Sequence, residues 1–325
     1  MTVVVLTTGG TIASHFDGEA WSEVDGTTLV RELGGPDVLG TDVEVIEIAS
    51  GPSSNLGVSD FLNIAERAAA AIERGADGVV VVHGTDTLEL SAFTTQLVLG
   101  TSERRPPVVF TGAMRVHSHV DPDGPANLRD SIALAASAPP GRPVMVCLDG
   151  RVHLADRVHK TDASSVDAFD SRPFEPIVAS TGASTGSLGD RIPRGIDSPP
   201  SPRFDERVGL AVCHPGMSPD TVEAAALGMR GLVVEGFGDL NLPRSIWPTL
   251  RGLVDRGTAV VVSSRAFTPT VDGELLNGLG AIGAGGLDAQ RARLATMAAL
   301  GSHPTDVRGF LRRLAIDAPA ERRST

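Results

Sequence analysis

Short apolar runs rich in valine alternate along the chain with longer stretches that have helical periodicity. In the first half of the sequence these runs are Val3–Leu6, Val43–Ile48, Gly78–Val82, Val108–Phe110 and Val144–Leu148. Between two of them, the segment Phe61–Arg74 spaces its apolar residues along one helical face and ends at Gly75. Apolar strands that alternate with helices are typical of a parallel sheet covered on both faces. The pattern therefore predicts an α/β fold.

The alternation stops between Gly182 and Arg207, where the segment Ser198–Pro202 consists only of serine and proline. It resumes with the runs Val208–Cys213, Gly231–Val234 and Ala259–Val262. We therefore predict a larger N-terminal α/β domain over residues 1–190, a linker over 191–207 and a smaller C-terminal α/β domain over 208–325. Because ligands of an open parallel sheet bind beyond the carboxyl ends of its strands, we expect the chemistry in the loops that follow these runs.

Composition and charge narrow the class of protein. The 325-residue chain has a formal net charge of −12, with 41% hydrophobic and 21% charged residues. This balance is typical of globular proteins, and the acidic charge argues against binding to nucleic acid. No apolar stretch approaches the roughly 18 residues of a membrane span, and no basic leader precedes Val3, so we expect a cytoplasmic protein. Cys147 and Cys213 each end an apolar run and are expected to be buried, reduced thiols.

Two strand ends combine glycine with threonine. The first strand runs into Thr-Gly-Gly-Thr-Ile-Ala at 8–13, and the third runs into His-Gly-Thr-Asp-Thr at 83–87. Glycine permits a tight turn and a close approach of ligand to backbone, and the helix start that follows the second motif offers free N–H groups to an anion. Taken singly, each loop is equally well explained as a glycine turn followed by a helix cap.

Taken together, the two motifs resemble the signature motifs of the bacterial type I/II L-asparaginases, the asparaginase/glutaminase family. The resemblance extends through four further segments, at 112–115, 123–128, 159–161 and 263–265. It implies an asparaginase-like fold with two α/β domains, and a homodimer or homotetramer assembled from intimate dimers. The implied activity is hydrolysis of the side-chain amide of L-asparagine, with glutamine as a minor substrate and without a metal or organic cofactor.

Position by position, the resemblance assigns the nucleophile to Thr11 and a second catalytic group to Thr85, Asp86 and Lys160. A threonine hydroxyl is a weak nucleophile that needs a nearby base, and a neutral lysine can supply one. Asp86 could orient Lys160 or pair with the α-ammonium of the substrate. The residues leave both roles open, while the resemblance favours the second.

The resemblance also assigns substrate contacts. Ser53 and Ser54 match the pair that holds the α-carboxylate end of the substrate, although the local sequence departs from the usual Gly-Ser-Gln-Asp. Ala113 is expected to accept the side-chain amide through its carbonyl oxygen, and the backbone N–H groups of Thr11 and Thr85 are candidates for stabilising the oxyanion. Asn241 matches the residue that reaches into the site of a neighbouring subunit from a Gly-Asn-Gly-Asn loop, in which this chain has aspartate and leucine at 239 and 240.

Many relatives place a tyrosine on the mobile loop after the first motif, yet this chain contains no tyrosine. The corresponding loop, Ser14–Gly26, carries Trp21, Ser22 and Glu23, and its composition is compatible with a lid that closes over substrate. Trp21 could shield the pocket, whereas Ser22 or Glu23 could order a water beside the nucleophile. We expect the threonine–lysine route to be the main means of activating Thr11.

Three other features have less support. The Gly-x-Gly-x-x-Gly pattern at 278–283 resembles a nucleotide fingerprint but follows no apolar strand, so we expect a loop that leads into a helix near Asp288–Leu300. His153, Asp156 and His159, and the cluster at 117–121, contain residue types that bind metal, but their spacing does not fit one site, and we expect no metal. Two alternative functions remain: a non-catalytic amino-acid sensor, and the amide-releasing subunit of a transfer-RNA amidotransferase, which the lack of an appended N-terminal domain and of a basic surface disfavours.

Overall fold

The computed structural model describes residues 1–178, 192–193, 195–266 and 274–316. The chain divides into two units, Met1–Gly195 and Ile196–Thr325. The predicted end of the first domain at residue 190 and the predicted start of the linker at 191 lie outside the described residues.

A seven-stranded sheet organises the first unit, with two short antiparallel pairs beside it. The strands of this unit are β1 (Thr2–Thr7), β2 (Ser14–Phe16), β3 (Trp21–Glu23), β4 (Asp42–Glu47), β5 (Gly78–Val82), β6 (Val108–Thr111), β7 (Met145–Leu148), β8 (Arg151–Leu154), β9 (His159–Lys160), β10 (Phe169–Asp170) and β11 (Ile177–Val178). The large sheet has the order β11-β8-β7-β6-β5-β1-β4, while β2 pairs with β3 and β9 with β10. All five apolar runs predicted in this half of the chain are strands of the large sheet, which confirms them.

Helices cover both faces of this sheet. They are α1 (Gly26–Glu32), α2 (Pro36–Leu39), α3 (Val58–Glu73), α4 (Leu88–Leu99) and α5 (Gly124–Ser137). Alternate residues of β1 enter different cores, because side chains on a strand point to opposite faces. Val3 and Val5 pack in one core with Leu29 of α1 and Ile132 of α5. Val4 and Leu6 pack in the other core with residues of α3 and α4. The predicted crossover helix corresponds to α3.

The sheet is not parallel throughout, which differs from the simple parallel sheet expected. The pairs among β4, β1, β5, β6 and β7 are parallel, but β8 lies antiparallel to β7 and β11 antiparallel to β8. The reversal occurs at Asp149 and Gly150, whose φ angles are 48° and 64°. An Asp-Gly pair with positive φ at both positions suits a two-residue hairpin turn. The strand after β7 therefore returns directly instead of crossing over through a helix.

The second unit has a four-stranded parallel sheet. Its strands are β12 (Val208–Val212), β13 (Gly231–Gly236), β14 (Ala259–Ser264) and β15 (Ile282–Gly283), in that order, and its helices are α6 (Pro219–Ala226), α7 (Trp247–Asp255), α8 (Glu274–Leu279), α9 (Ala289–Ser302) and α10 (Val307–Arg313). The three predicted strands and the helix predicted near Asp288–Leu300 are confirmed. The two-domain α/β architecture is confirmed as well.

The Gly-x-Gly-x-x-Gly pattern falls in this second unit, at the end of a helix and not in a loop before one. Gly278 lies inside α8, Gly280 has a φ of 73° just after the helix, and Gly283 ends β15. A dinucleotide fingerprint leads from a strand into a helix, whereas this segment leads from a helix into a strand. The expectation of a simple loop is therefore wrong, and the nucleotide interpretation has no structural support.

Two further features of the described residues concern membrane spans and the cysteine thiols. None of the described helices is long and apolar enough to cross a bilayer. Cys147 and Cys213 are both buried free thiols. Burial raises the pKa of the Cys147 thiol to about 12, which keeps it protonated and unreactive.

The candidate metal ligands His153 and Asp156 have protein partners instead. His153, on β8, is buried, and its Nδ1 lies 2.8 Å from Ser171 Oγ. Asp156 is buried with one carboxylate oxygen 3.4 Å from Arg157 Nε. Among the described residues, no group of three or more histidine, cysteine, aspartate or glutamate side chains is arranged to hold a metal ion. Burial lowers the pKa of His153 to about 4.

This buried histidine should make the protein less stable in acid. Between pH 6.5 and 4 the unfolded chain binds a proton at His153 and the folded chain does not, so the free energy of unfolding should fall by about 3 kcal/mol over that range. His153→Gln should remove this part of the pH dependence in urea titrations between pH 7 and 4. His119→Gln, at an exposed position, is the control. Identical pH profiles for wild type and His153→Gln would contradict the assignment.

Candidate active site

Four loops lie side by side at the carboxyl edge of the large sheet. They follow β6, β5, β1 and β4, which are consecutive neighbours in the strand order. Each loop carries one of the predicted site residues: Ala113, Thr85, Thr11 and Ser53, respectively. The topology thus brings loops to one edge that are far apart in the sequence, since Thr11 and Ala113 are 102 positions apart.

Glycines allow these loops to approach each other backbone to backbone. Gly10 has a φ of 90°, and a Cβ at this position would lie 2.5 Å from Gly84 Cα. Gly9 has a φ of 79°, and a Cβ there would lie 2.5 Å from Gly51 N. Both distances are far inside van der Waals contact, so only glycine fits. Thr11 and Thr85 each follow one of the two contacting glycines, Gly10 and Gly84, so both adjoin this contact.

Lys160 reaches the second motif from β9. Its Nζ donates to Thr85 Oγ1 at 2.9 Å and to Asp86 Oδ1 at 2.7 Å. Its backbone N–H donates to Glu89 Oε2 at 2.5 Å, so the loop before α4 holds the side chain of this lysine and the first turn of α4 holds its backbone. Thr85 is buried, Lys160 is largely buried, and the Asp86 side chain is 59% exposed. The expected group of Thr85, Asp86 and Lys160 therefore forms one connected hydrogen-bonded chain.

The two candidate serines have different environments. Ser53 is buried, and its Oγ accepts a 3.2 Å hydrogen bond from Asp86 N, while its carbonyl oxygen accepts one from Thr87 Oγ1 at 2.8 Å. Ser54 is exposed on the short 3₁₀ helix Ser53–Asn55. Ser53 is thus joined to the loop of Thr85 and Asp86, whereas Ser54 faces solvent.

A carboxylate and an amide hold the loop of Ala113. Asp123 accepts from Met114 N and from Arg115 N, both at 2.9 Å. Asn127 donates from Nδ2 to Gly112 O at 3.0 Å. These bonds satisfy the backbone on both sides of Ala113, which is itself buried, and they leave the loop little freedom to move.

Thr11 occupies the turn between β1 and the β2–β3 hairpin. The turn is closed by Ala13 N donating to Gly10 O at 3.0 Å and by Ser14 Oγ donating to the same oxygen at 3.1 Å. Thr11 is half-buried, and within the described residues its hydroxyl makes no hydrogen bond. A hydroxyl in this state is available to a ligand.

The β2–β3 hairpin, at the position expected for the lid, is tied to the loop 114–121. Phe16 N donates to Ser118 Oγ at 2.9 Å, and His117 N donates to Ser14 O at 2.8 Å. His117 Nε2 also lies 2.8 Å from Glu32 Oε2, so this histidine of the 117–121 cluster has a carboxylate partner.

The three candidate side chains of the hairpin differ in position. Trp21 is 65% exposed and packs on Phe16, with ring centroids 5.1 Å apart. Glu23 lines a cavity of about 160 Å³, together with residues of the loops after β1 and β4. Ser22 is exposed and does not line that cavity, and neither do Thr11, Thr85 or Lys160. Glu23 is therefore the hairpin side chain best placed beside the Thr11 loop.

His83 is the first residue of the second motif, and its side chain points into the core. The ring is fully buried, with Phe61 and Phe110 at centroid distances of 6.4 and 6.1 Å. Its Nδ1 lies 2.7 Å from Gly84 O, while Nε2 is buried without a hydrogen-bond partner. Burial lowers the pKa of His83 to about 4, so the ring is neutral near pH 7.

Asn241 belongs to the second unit, where it follows the 3₁₀ helix Gly238–Leu240 after β13. Its Nδ2 donates to Gly238 O at 2.9 Å, within its own loop. Asp239 and Leu240, the two departures from the expected loop sequence, have φ angles of 56° and 57°. Leucine rarely adopts this left-handed backbone, which glycine, asparagine and aspartate tolerate better.

Some residues that shape the site were not given a role from sequence. Glu89 lies two positions after the second motif, and Asp123 and Asn127 lie four apart at the start of α5, so each was visible near a motif. Their partners, however, are backbone N–H and carbonyl groups of distant segments. Such contacts leave no periodicity in the sequence.

Two family models match the chain. The model for the N-terminal domain of asparaginase covers residues 2–189, and the model for the C-terminal domain of glutaminase and asparaginase covers residues 207–308.

Two curated relatives are subunits of an amidotransferase. One such subunit, of the glutamyl-tRNA(Gln) amidotransferase from Pyrobaculum aerophilum, is 32% identical over 281 residues, which cover 82% of this chain and 65% of that protein. Its counterpart from Thermoplasma acidophilum is 31% identical and covers 94% of this chain and 76% of its own length. The chain thus spans about two thirds to three quarters of the length of these two relatives.

Solved structures of asparaginases are similar over nearly the whole chain. The probable cytoplasmic L-asparaginase from Campylobacter jejuni has a TM-score of 0.78 and 29% identity, and covers 95% of this chain and 98% of its own. The thermostable L-asparaginase from Thermococcus kodakarensis has a TM-score of 0.81 at 24% identity over 98% of this chain and 100% of its own. At that identity the second comparison supports the fold alone.

The contact between Gly10 and Gly84 predicts a large effect of a single methyl group. Gly10→Ala should lower the free energy of unfolding by about 2–4 kcal/mol, since it adds a steric clash to an unfavourable φ. Gly18→Ala is the matched control, because Gly18 has a φ of 103° but no neighbour within 4 Å of the added Cβ, and it should cost only about 1 kcal/mol. Denaturant unfolding measures both. Equal losses would show that backbone strain, and not the loop contact, sets the requirement for glycine.

Proposed function

Because the chain belongs to the asparaginase family, we propose that it hydrolyses the side-chain amide of a free amino acid with Thr11 as the nucleophile. The observation that carries this proposal is the hydrogen bond between Lys160 Nζ and Thr85 Oγ1, 2.9 Å long. It lies at the glycine contact that brings the Thr11 and Thr85 loops together. The Thr85 hydroxyl and the Lys160 amine, a potential base, therefore lie at the same edge of the sheet as the loop of Thr11.

In the first half of the reaction, Thr11 Oγ1 attacks the amide carbon and its proton passes toward Thr85 and Lys160. Lys160 must be neutral to accept that proton. Backbone N–H groups of Thr11 and Thr85 stabilise the oxyanion of the tetrahedral intermediate, where each donor contributes roughly 3–4 kcal/mol. The C–N bond then breaks, the leaving nitrogen takes up a proton and departs as ammonia, and an ester on Thr11 remains. Water hydrolyses this ester in the second half of the reaction and releases the amino-acid product.

The same loops supply contacts for the free amino-acid end of the substrate. Asp86 uses Oδ1 for Lys160, which leaves Oδ2 for the substrate α-ammonium. Ser53 Oγ accepts from Asp86 N, and its own proton remains for the substrate carboxylate, since a hydroxyl both donates and accepts. Ser54 adds a second hydroxyl at this end, and the carbonyl of Ala113 accepts the side-chain amide. Asn241 would complete the site from a second copy of the chain in a homodimer or homotetramer.

The comparisons support two candidate substrates. The similarity to the C. jejuni asparaginase supports L-asparagine, the substrate expected from the motifs. The amidotransferase relatives support glutamine hydrolysis within a transfer-RNA amidotransferase, and they favour this second candidate over the first. The net charge of −12 opposes direct contact with RNA, so in that case other subunits would bind the transfer RNA. Either activity fits a cytoplasmic enzyme that needs no metal or organic cofactor, whereas the complete Thr11, Thr85 and Lys160 set argues against a non-catalytic sensor.

Ammonia release from asparagine, from glutamine and from a blank tests the proposal. Thr11→Ala should lower kcat by more than about 10⁴-fold with both amides, because it removes the attacking oxygen, while binding of aspartate or glutamate should persist. Thr8→Ala, a neighbouring threonine whose Oγ1 is bonded to Val82 O, is the control. A tenth of wild-type activity in Thr11→Ala would exclude this nucleophile. Asparagine binding without ammonia release from either amide by the wild type would indicate the sensor.

The second test concerns the base. Lys160→Met should reduce kcat about as severely as Thr11→Ala, since groups that act as one unit fail together. Glu23→Gln and Ser22→Ala should leave kcat within about tenfold of wild type. If Lys160→Met instead stays within tenfold and a hairpin variant loses roughly 10²–10⁴-fold, the range for a general base, the hairpin carries the base.

A further inference from the structure

Among the described residues, the ring of His83 makes one hydrogen bond, to the backbone of the next residue in the second motif. Its Nδ1 lies 2.7 Å from Gly84 O. A carbonyl oxygen only accepts hydrogen bonds, so the proton of the neutral ring must be on Nδ1, and His83 donates it to Gly84. This bond fixes the direction of the carbonyl between Gly84 and Thr85.

The same peptide unit carries the N–H of Thr85. Among the described residues the cis peptide bond is Arg172–Pro173, so the Gly84–Thr85 peptide is trans and planar, and its C=O and N–H point in opposite directions. Because the carbonyl points to the buried ring, the N–H of Thr85 points away from it. Within the described part of the chain this N–H has no hydrogen-bond acceptor, whereas the next one, Asp86 N, is bonded to Ser53.

We propose that His83 is a positioning residue that holds the N–H of Thr85 toward the reacting carbonyl of the substrate, where it stabilises the oxyanion. The inference rests on the proposed function. His83 touches neither the substrate nor the nucleophile, and it acts through one peptide unit.

The surroundings of His83 explain why the hydrogen bond, and not the shape of the ring, requires a histidine. Phe61 and Phe110 flank the ring, and Nε2 is buried without a partner. A phenylalanine would suit such an apolar site and would leave no unpaired nitrogen. The feature that only the histidine provides is the Nδ1–H donated to Gly84. Without it, the buried carbonyl loses its partner and the peptide is free to rotate toward another donor.

Two substitutions separate the hydrogen bond from the packing. His83→Phe preserves an aromatic ring but removes the donor. His83→Asn places an amide N–H near the position of Nδ1 but leaves a cavity, so it should be the less stable of the two. If His83 positions the peptide, His83→Phe should lower kcat about 10²-fold or more, the effect of losing one oxyanion donor, with KM changed less than about threefold. His83→Asn should recover most of kcat despite its lower stability.

Opposite orders of activity and stability support the proposal, because a purely structural role would make the more stable His83→Phe the more active variant. That second result would overturn it, as would equal kcat values for the two variants. Crystal structures of both variants give a readout that does not need activity: the Gly84–Thr85 peptide should be rotated in His83→Phe and retained in His83→Asn. An unrotated peptide in His83→Phe contradicts the positioning role, even if the wild type releases no ammonia and the proposed function fails. In the wild type, ¹⁵N spectra should show the His83 proton on Nδ1, and a proton on Nε2 would also contradict it.

Discussion

Direct contact between loop backbones is the constraint on which the site depends. The loops after β1 and β5 meet at Gly10 and Gly84, where a Cβ added at Gly10 would lie 2.5 Å from Gly84 Cα. Strand order alone would place these loops as neighbours about 5 Å apart, but side chains between them would separate their threonines. Glycine at both positions lets the two loops approach closely at the residues that precede Thr11 and Thr85. The positive φ of Gly10 restricts this position further, because a residue other than glycine would disfavour both the backbone conformation and the contact.

A short segment after β5 holds the charged and polar groups of the site together. Residues 85–89 provide three partners of Lys160: Thr85 and Asp86 at Nζ, and Glu89 at the backbone N–H. Lys160 lies on β9, about 70 residues further along the chain. Three hydrogen bonds, and not sequence proximity, therefore fix its position beside this segment. Ser53 joins the same segment through the N–H of Asp86. Beneath it, His83 and the apolar core keep water away from the Gly84 carbonyl.

The sequence was most informative where a local pattern reflects a local requirement. The buried strands appear as valine runs because both faces of the sheet are covered, and the two glycine motifs mark the loops that touch. Features that depend on distant contacts were not visible: the antiparallel strands β8 and β11, the bond from Lys160 to Glu89, and the burial of Ser53. β11 has only two residues, too few to produce an alternating pattern. The glycine pattern at 278–283 was visible in the sequence but misleading, because glycine spacing alone does not show whether a helix begins or ends there.

The contact between Gly10 and Gly84 also determines which parts of the site can change during evolution. A Cβ at Gly10 would lie 2.5 Å from Gly84 Cα, and a Cβ at Gly84 would lie 2.8 Å from the side chain of Ser53, so both positions favour glycine. The β2–β3 hairpin has the opposite character, since Trp21 is exposed and Glu23 borders a cavity. New side chains can be accepted there without moving the two threonines. Substitutions in the hairpin therefore meet fewer steric constraints than substitutions in the inner loops, which are fixed by their backbone contact.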